Sequence, residues 1–328
     1  MTDPRQSKPF VIARDDGREI AALRTAVVAI GNFDGVHRGH RAVIDAAITR
    51  ARALGRPAAA LTFEPHPLRF FRPDMPAFQL TEEAAKLRLL ASTGLDGAIV
   101  LTFDAALANL TADEFIARVL VERLAVTGAV IGFNFHFGKN RAGSPGYLAA
   151  AGAKLGFRVD IVPPLTDAGL RISSGAIRAA LAEGRVTDAA HLLGFPWFVS
   201  GVVIRGDQRG RTLGYPTANL QLDLACGLKH GIYAVRVGVG DRRHDGIASF
   251  GRRPTFDNGA PLLEVFLFDF DGDLYGARID VAFLAWIRPE LRFETVDDLV
   301  RQMDEDSRLA RAALVAAGDR YPPIGSPA

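Results

Sequence analysis

At 328 residues the chain is long for one hydrophobic core and comfortable for two domains. Its 39 basic and 37 acidic side chains nearly cancel, so no global field favours nucleic acid or a membrane surface. A single cysteine, Cys226, excludes an intramolecular disulfide; no apolar run reaches the roughly 18 residues of a membrane span, and the opening MTDPRQSKPF lacks the apolar core of a secretory signal, which together predict a cytoplasmic protein.

Residues 26–30 (AVVAI) form an apolar run of strand length, followed by GNFDGVHRGH at 31–40 and a helical pattern from Arg41. A strand, a glycine turn and a helix start make an anion site, because the first helical N–H groups lack internal partners and the dipole adds positive charge there. His37 and His40, three residues apart, share a face if both fall in the first turn. Apolar runs at 57–63, 98–101, 129–131 and 157–162 then alternate with helical patterns near Thr81, at 111–124 and at 147–155. Thr81 and Thr111 are the expected caps. The alternation predicts a doubly wound parallel sheet covered on both faces, with ligands bound beyond the strands' carboxyl ends.

That rim should carry His66, in a loop whose prolines Pro65 and Pro67 are expected to stop regular structure, and Asn134, in the stretch GFNFHFGKNR at 132–141. The glycine spacing there, with Asn140 where a hydroxyl residue is needed, excludes a Walker-type P-loop. If the stretch is extended, Phe133, Phe135 and Phe137 point one way and Asn134 and His136 the other. Ser173 or Ser174 can cap the next helix; with Arg178 one turn on, the segment serves equally as a plain cap or as a phosphate holder.

Beyond Gly184 the periodicity changes. Strand-like runs at 197–204, 231–239, 245–250, 262–269 and 277–287 follow one another without helices, and only 295–317 reverts to a helical pattern. This predicts an antiparallel β-barrel with a C-terminal helix whose Leu299, Met303, Leu309 and Leu314 face the barrel. The expected domains are residues 1–184 and 185–328. In GRTLGYPTANL (210–220), Thr217 and Asn219 alternate onto one side if the segment is extended; they are hard oxygen donors suited to Mg²⁺, or else satisfied side chains of a hairpin turn. Glu264 interrupts an apolar strand, where it either faces outward or needs a partner.

GNFDGVHRGH resembles the signature of the nucleotidyltransferase superfamily, and GRTLGYPTANL that of riboflavin kinases. With the stretches at 252–256, 269–276 and 287–290, the chain from about residue 26 to 311 resembles the prokaryotic bifunctional riboflavin kinase/FAD synthetase family. The resemblance implies two reactions: riboflavin phosphorylated by Mg·ATP to FMN, then FMN joined to AMP to give FAD and pyrophosphate. It implies catalytic roles for His37, His40 and Glu264, the last as general base toward the ribityl hydroxyl. Nucleotide and phosphate contacts fall to Gly31, Phe33, Gly39, Asn134, Ser173, Ser174, Arg178, Gly210, Arg211 and Asn219. Thr217 and Asn219 become metal-site residues, and His66 and Phe135 flavin-side candidates. The partners implied are small molecules, ATP, riboflavin and FMN, and self-association is compatible with the sequence. Two departures stand out: His136 where members often carry Arg or Lys, and Gly175 where a hydroxyl residue is common. They motivate a second reading, a kinase with a weak or silent adenylyltransferase; a third is a non-catalytic flavin-binding regulator.

Overall fold

Val27–Ile30 is buried on both faces, as the central strand of a parallel sheet must be. The computed structural model describes residues 9–15, 18–74, 77–167, 169–206, 215–252 and 261–324. The chain divides into two compact units, Met1–Met75 with Glu82–Ile172, and Pro76–Thr81 with Ser173–Ala328.

In the first unit, strands β1 (Val11–Arg14), β2 (Val27–Ile30), β3 (Ala58–Glu64), β4 (Gly97–Thr102), β5 (Gly128–Gly132) and β6 (Arg158–Val162) form one all-parallel sheet in the order β1-β4-β3-β2-β5-β6. Ile30 lies level with Leu61 on one side and Ile131 on the other, so the loops after β2, β3 and β5 open on one rim. Helices α1 (Arg38–Leu54), α2 (Pro67–Phe71), α3 (Glu83–Ala91), α4 (Ala105–Asn109), α5 (Ala112–Glu114, running on as a π-helix through Arg123) and α6 (Pro145–Leu155) connect the strands. α1 buries Val43, Ile44, Ala47, Ile48 and Ala51, one apolar stripe. A two-residue hairpin, β7 (Thr166–Asp167) with β8 (Leu170–Arg171), closes the unit.

The doubly wound sheet is the one expected; three local details differ. Pro67 starts α2 instead of stopping structure, because at the first helical position a missing N–H costs nothing. The N-cap of α3 is Glu82, without a side-chain capping bond, and not Thr81. The chain after β5 turns instead of extending: Phe135 N–H donates to the Gly132 carbonyl at 3.0 Å. The three phenylalanines therefore do not form one wall. Phe137 is buried and Phe135 packs beside it, while Phe133 is exposed beneath the Arg171 guanidinium.

The second unit begins with α7 (Ser174–Ala182) and α8 (Val186–Leu193). Strands β9 (Phe198–Val202), β10 (Ala218–Gln221), β11 (Gly231–Val239), β12 (Arg242–Arg252), β13 (Pro261–Leu267) and β14 (Arg278–Arg288) pair antiparallel in the order β10-β13-β12-β11-β14-β9. An Ile204–Asn219 bridge joins the two ends, closing the expected barrel. Helix α9 (Val296–Ala317), capped by Thr295, lies on β11, β12 and β14. Its buried residues are Asp306, Ala310 and Leu314, whereas Leu309, expected inward, is 38 % exposed. Asp306 takes the inward place because Arg288 of β14 grips it with two hydrogen bonds, at 2.8 and 2.6 Å.

Candidate functional site

Beyond β2 the chain stays tied to the sheet: Gly31 N–H donates to the Leu61 carbonyl at 3.1 Å. It then passes through left-handed backbone at Phe33 (φ 50°), Gly35 (φ 83°) and Val36 (φ 40°). Such backbone is strained for a β-branched valine and persists only when its surroundings hold it. Phe33 and Val36, 1 % and 0 % exposed, are the anchors. The turn delivers His37 to the N-cap of α1, where its Nδ1 accepts the His40 N–H at 3.2 Å. That bond sets the uncharged ring as the Nε2–H tautomer.

The two imidazoles stack with centroids 3.6 Å apart and planes 14° from parallel, and Phe33 meets His40 edge-on at 5.4 Å. Gly39 is what the stack demands: a Cβ there would lie 3.1 Å from Cε1 and 3.2 Å from Nδ1 of His37. Burial first, then His37 and then Lys86 push the His40 imidazolium well below its ordinary range, so the ring is neutral at physiological pH. Its buried Nδ1 has no hydrogen-bond partner among the described residues. Gly31, Phe33, His37, Gly39 and His40 thus gather at one helix N-terminus, a geometry suited to an anion.

Lys86 carries no sequence motif and escaped the reading. It lies on α3, 3 % exposed, and its ammonium donates to the Glu64 carboxylate, to the Thr62 hydroxyl at 3.3 Å and to the Phe63 carbonyl at 3.5 Å. The signal was a lysine on the same helical face as Leu89 and Leu90. Arg38 was missed too; it pairs with Asp167, fastening the β7–β8 hairpin to the start of α1. Of the other expected residues on this rim, His66 is the N-cap of α2, its Nδ1 accepting the Leu68 N–H at 3.1 Å. Asn134 is exposed on the turn after β5, its carbonyl 3.0 Å from His136 Nδ1. Phe135 stacks on Phe137 at 5.6 Å, on the core side of that turn.

In the second unit Ser173 caps α7, its hydroxyl accepting the Ala176 N–H at 3.2 Å, and Ser174 is the first helical residue. Arg178 Nε donates to the Phe78 carbonyl at 2.6 Å, which orients its guanidinium. At Gly175 the nearest atom to an added Cβ is Ser173 Oγ at 3.8 Å, so its lack of a side chain is not imposed by space.

On the barrel, Asn219 of β10 stands directly opposite Glu264 of β13, and Glu264 opposite Ser249 of β12. Leu263 and Val265 fill the interior, so Glu264 faces outward, half-buried. Asn219 is 4 % exposed; its Nδ2 donates to the Thr217 carbonyl at 3.3 Å, and its buried Oδ1 has no partner among the described residues. The chain can cross this amide only at a glycine: a Cβ on Gly206 would lie 2.6 Å from Asn219 Nδ2. Tyr215 packs on Phe266 at 4.9 Å and hydrogen-bonds Asp304 of α9. Gly210 and Arg211 lie outside the described residues.

Residues 19–176 match the FAD synthetase family and residues 193–314 the riboflavin kinase family. The bifunctional riboflavin kinase/FMN adenylyltransferase of Escherichia coli (strain K12) is 42% identical over 286 residues, 87% of this chain and 91% of that protein. The chain belongs to the bifunctional riboflavin kinase/FMN adenylyltransferase family. Its Pseudomonas fluorescens relative, which bears the same name, is 39% identical over 90% of this chain and 96% of that protein. A crystal structure of a Streptococcus pneumoniae protein described as a macrolide-efflux protein superposes with a TM-score of 0.80 at 33% identity, over 92% of this chain and 99% of that one. Among the described residues here, no helix is long and apolar enough to cross a membrane. The stacked histidines fall within the FAD synthetase match, and Thr217, Asn219 and Glu264 within the riboflavin kinase match.

Proposed function

We propose that this chain performs both reactions of its family, phosphorylating riboflavin with ATP to FMN and then adenylylating FMN with ATP to FAD and pyrophosphate. Residues 1–184 serve the second reaction and 185–328 the first, a division that the two family matches support. Attack by the ribityl hydroxyl on the γ-phosphorus requires loss of a proton, and Glu264 is the carboxylate proposed to take it. Its place opposite Asn219 carries the assignment. Mg²⁺ would be held by Thr217 and Asn219 together with nucleotide phosphate oxygens, and when bound it neutralises phosphate charge. Asn219 Oδ1, without a partner among the described residues, fits that role, since its amide nitrogen is already engaged. Gly210 and Arg211 are proposed to contact the same nucleotide.

The FMN phosphate is already an anion and needs no base. Its reaction asks for alignment and for stabilisation of charge on the leaving pyrophosphate. The single observation that carries this half is the stack of His37 on an uncharged His40 at the N-terminus of α1. His37, as the Nε2–H tautomer, donates toward phosphate, while Gly31 and Gly39 allow the backbone close approach. Phe33 holds the turn, and Asn134, Ser173, Ser174 and Arg178 are proposed nucleotide contacts for this step. His66 and Phe135 are the proposed flavin side.

Product chromatography tests both halves. Glu264→Gln should lower FMN formation at least about 100-fold and leave FMN-to-FAD conversion intact; His37→Ala with His40→Ala should do the reverse. Loss of both activities from either folded variant would overturn the two-site assignment. FMN as sole product of the wild-type chain from riboflavin, ATP and Mg²⁺ would reduce the reading to a kinase alone.

A further inference from the structure

A lysine is rarely buried without a reason. Replacing a buried ion pair by apolar side chains of similar volume is often neutral or stabilising, so the Lys86–Glu64 pair is poorly explained by stability alone. Its hydrogen bonds have a direction. The Lys86 ammonium donates to the Thr62 hydroxyl at 3.3 Å, and that hydroxyl donates to the Asn32 carbonyl, also at 3.3 Å. Asn32 immediately precedes Phe33, where the backbone enters its left-handed run. The relay therefore grips the turn at the point where its strain begins.

We infer that Lys86 is a positioning residue of the adenylyl-transfer site, clamping the turn over residues 31–37 through Thr62 and Asn32 and placing a fixed positive charge close to the His37–His40 stack. The role rests on the adenylyl-transfer reading of that turn and deepens it. The charged and titratable groups acting on His40 are His37 from its own turn and Lys86 from α3, with Glu64 of β3 paired to the lysine. The lysine adds to what keeps His40 uncharged.

The test uses the full chain. Lys86→Met combined with Glu64→Gln removes the cation without stranding its carboxylate, and Thr62→Val cuts the relay with Thr62→Ser as the conservative rescue. The charge-free double variant should lower kcat for FMN adenylylation about tenfold or more, keep riboflavin phosphorylation within about twofold, and titrate the His40 imidazole at higher pH by NMR. Thr62→Val should lower FMN adenylylation and Thr62→Ser should restore it. A folded double variant with unchanged adenylylation and unchanged His40 titration would overturn the role, as would a Thr62→Val enzyme equal to wild type. Should the double variant fail to fold, the Thr62 pair decides. A wild-type chain that makes no FAD from FMN is a different result, one that removes the adenylyl-transfer reading itself.

Discussion

Gly39 and Gly175 occupy the same position, two residues past the N-caps of α1 and α7, yet they meet different surroundings. A methyl group at Gly39 would press on the His37 ring at 3.1 Å, and the ring can yield only by leaving the stack and its bond to His40 N–H. Gly39→Ala should therefore lower FAD formation from FMN about tenfold or more, with FMN formation intact by product chromatography. At Gly175 the nearest atom stands at 3.8 Å, and alanine is the better helix former. Gly175→Ala should raise stability by a few tenths to about 1 kcal/mol, read as a higher melting temperature. His40 gives a pH dependence of definite sign. Burial, His37 and Lys86 hold its folded pKa well below 6.5, so between that depressed value and 6.5 the unfolded chain binds a proton that the folded chain refuses. Its neutrality costs nothing above 6.5 and destabilises the fold as the pH falls below it. From about pH 7 to about pH 5.5 the wild type should lose more stability than His40→Asn in urea titrations; parallel losses would mean that His40 is not held neutral.

At the scale of elements, α9 is fixed by a charge its own pattern does not explain. Asp306 is 2 % exposed and accepts from Arg288 and from Gln302 at 2.9 Å, whereas the Arg308–Glu305 pair on the same helix is exposed. Asp306→Ala leaves Arg288 uncompensated and should destabilise the fold by about 3–5 kcal/mol. Glu305→Ala should cost no more than about 1 kcal/mol, the two compared by urea midpoint. Equal midpoints would contradict the burial of the pair. The same contrast explains what the sequence made legible. Parallel strands such as β2 and β4 are unbroken apolar runs, and α9 repeats apolar residues at helical spacing, so their existence could be read locally. The inward face of α9 could not, because Asp306 is buried by a partner 18 positions away. The four-residue strand β10 was missed because its sequence follows a proline turn and its pairing with β13 is set across space. At the site, the spacing of His37 and His40 was legible, as was Glu264 in its apolar strand. Lys86 was not, since Glu64, the partner that permits its burial, lies 22 residues earlier on another element.

For the whole molecule, two reactions in one chain raise the question of how their shared compound travels. FMN is the product of the step assigned to Glu264 and the substrate of the step assigned to His37 and His40. Its phosphate carries charge and is well hydrated, so leaving a pocket for water carries no large penalty. Glu264→Gln keeps every residue proposed for adenylylation, and the His37→Ala, His40→Ala variant keeps every residue proposed for phosphorylation. An equimolar mixture of the two should therefore convert riboflavin to FAD, although neither does so alone. Because FMN must then build up in solution before the second step runs, FAD should follow a lag that shortens as both proteins are made more concentrated. Time courses by chromatography would show FMN rising first and FAD after it. A mixture that accumulates FMN while FAD never appears would mean that the second step needs an intact first site in the same chain, and the two sets of residues could no longer be treated as independent.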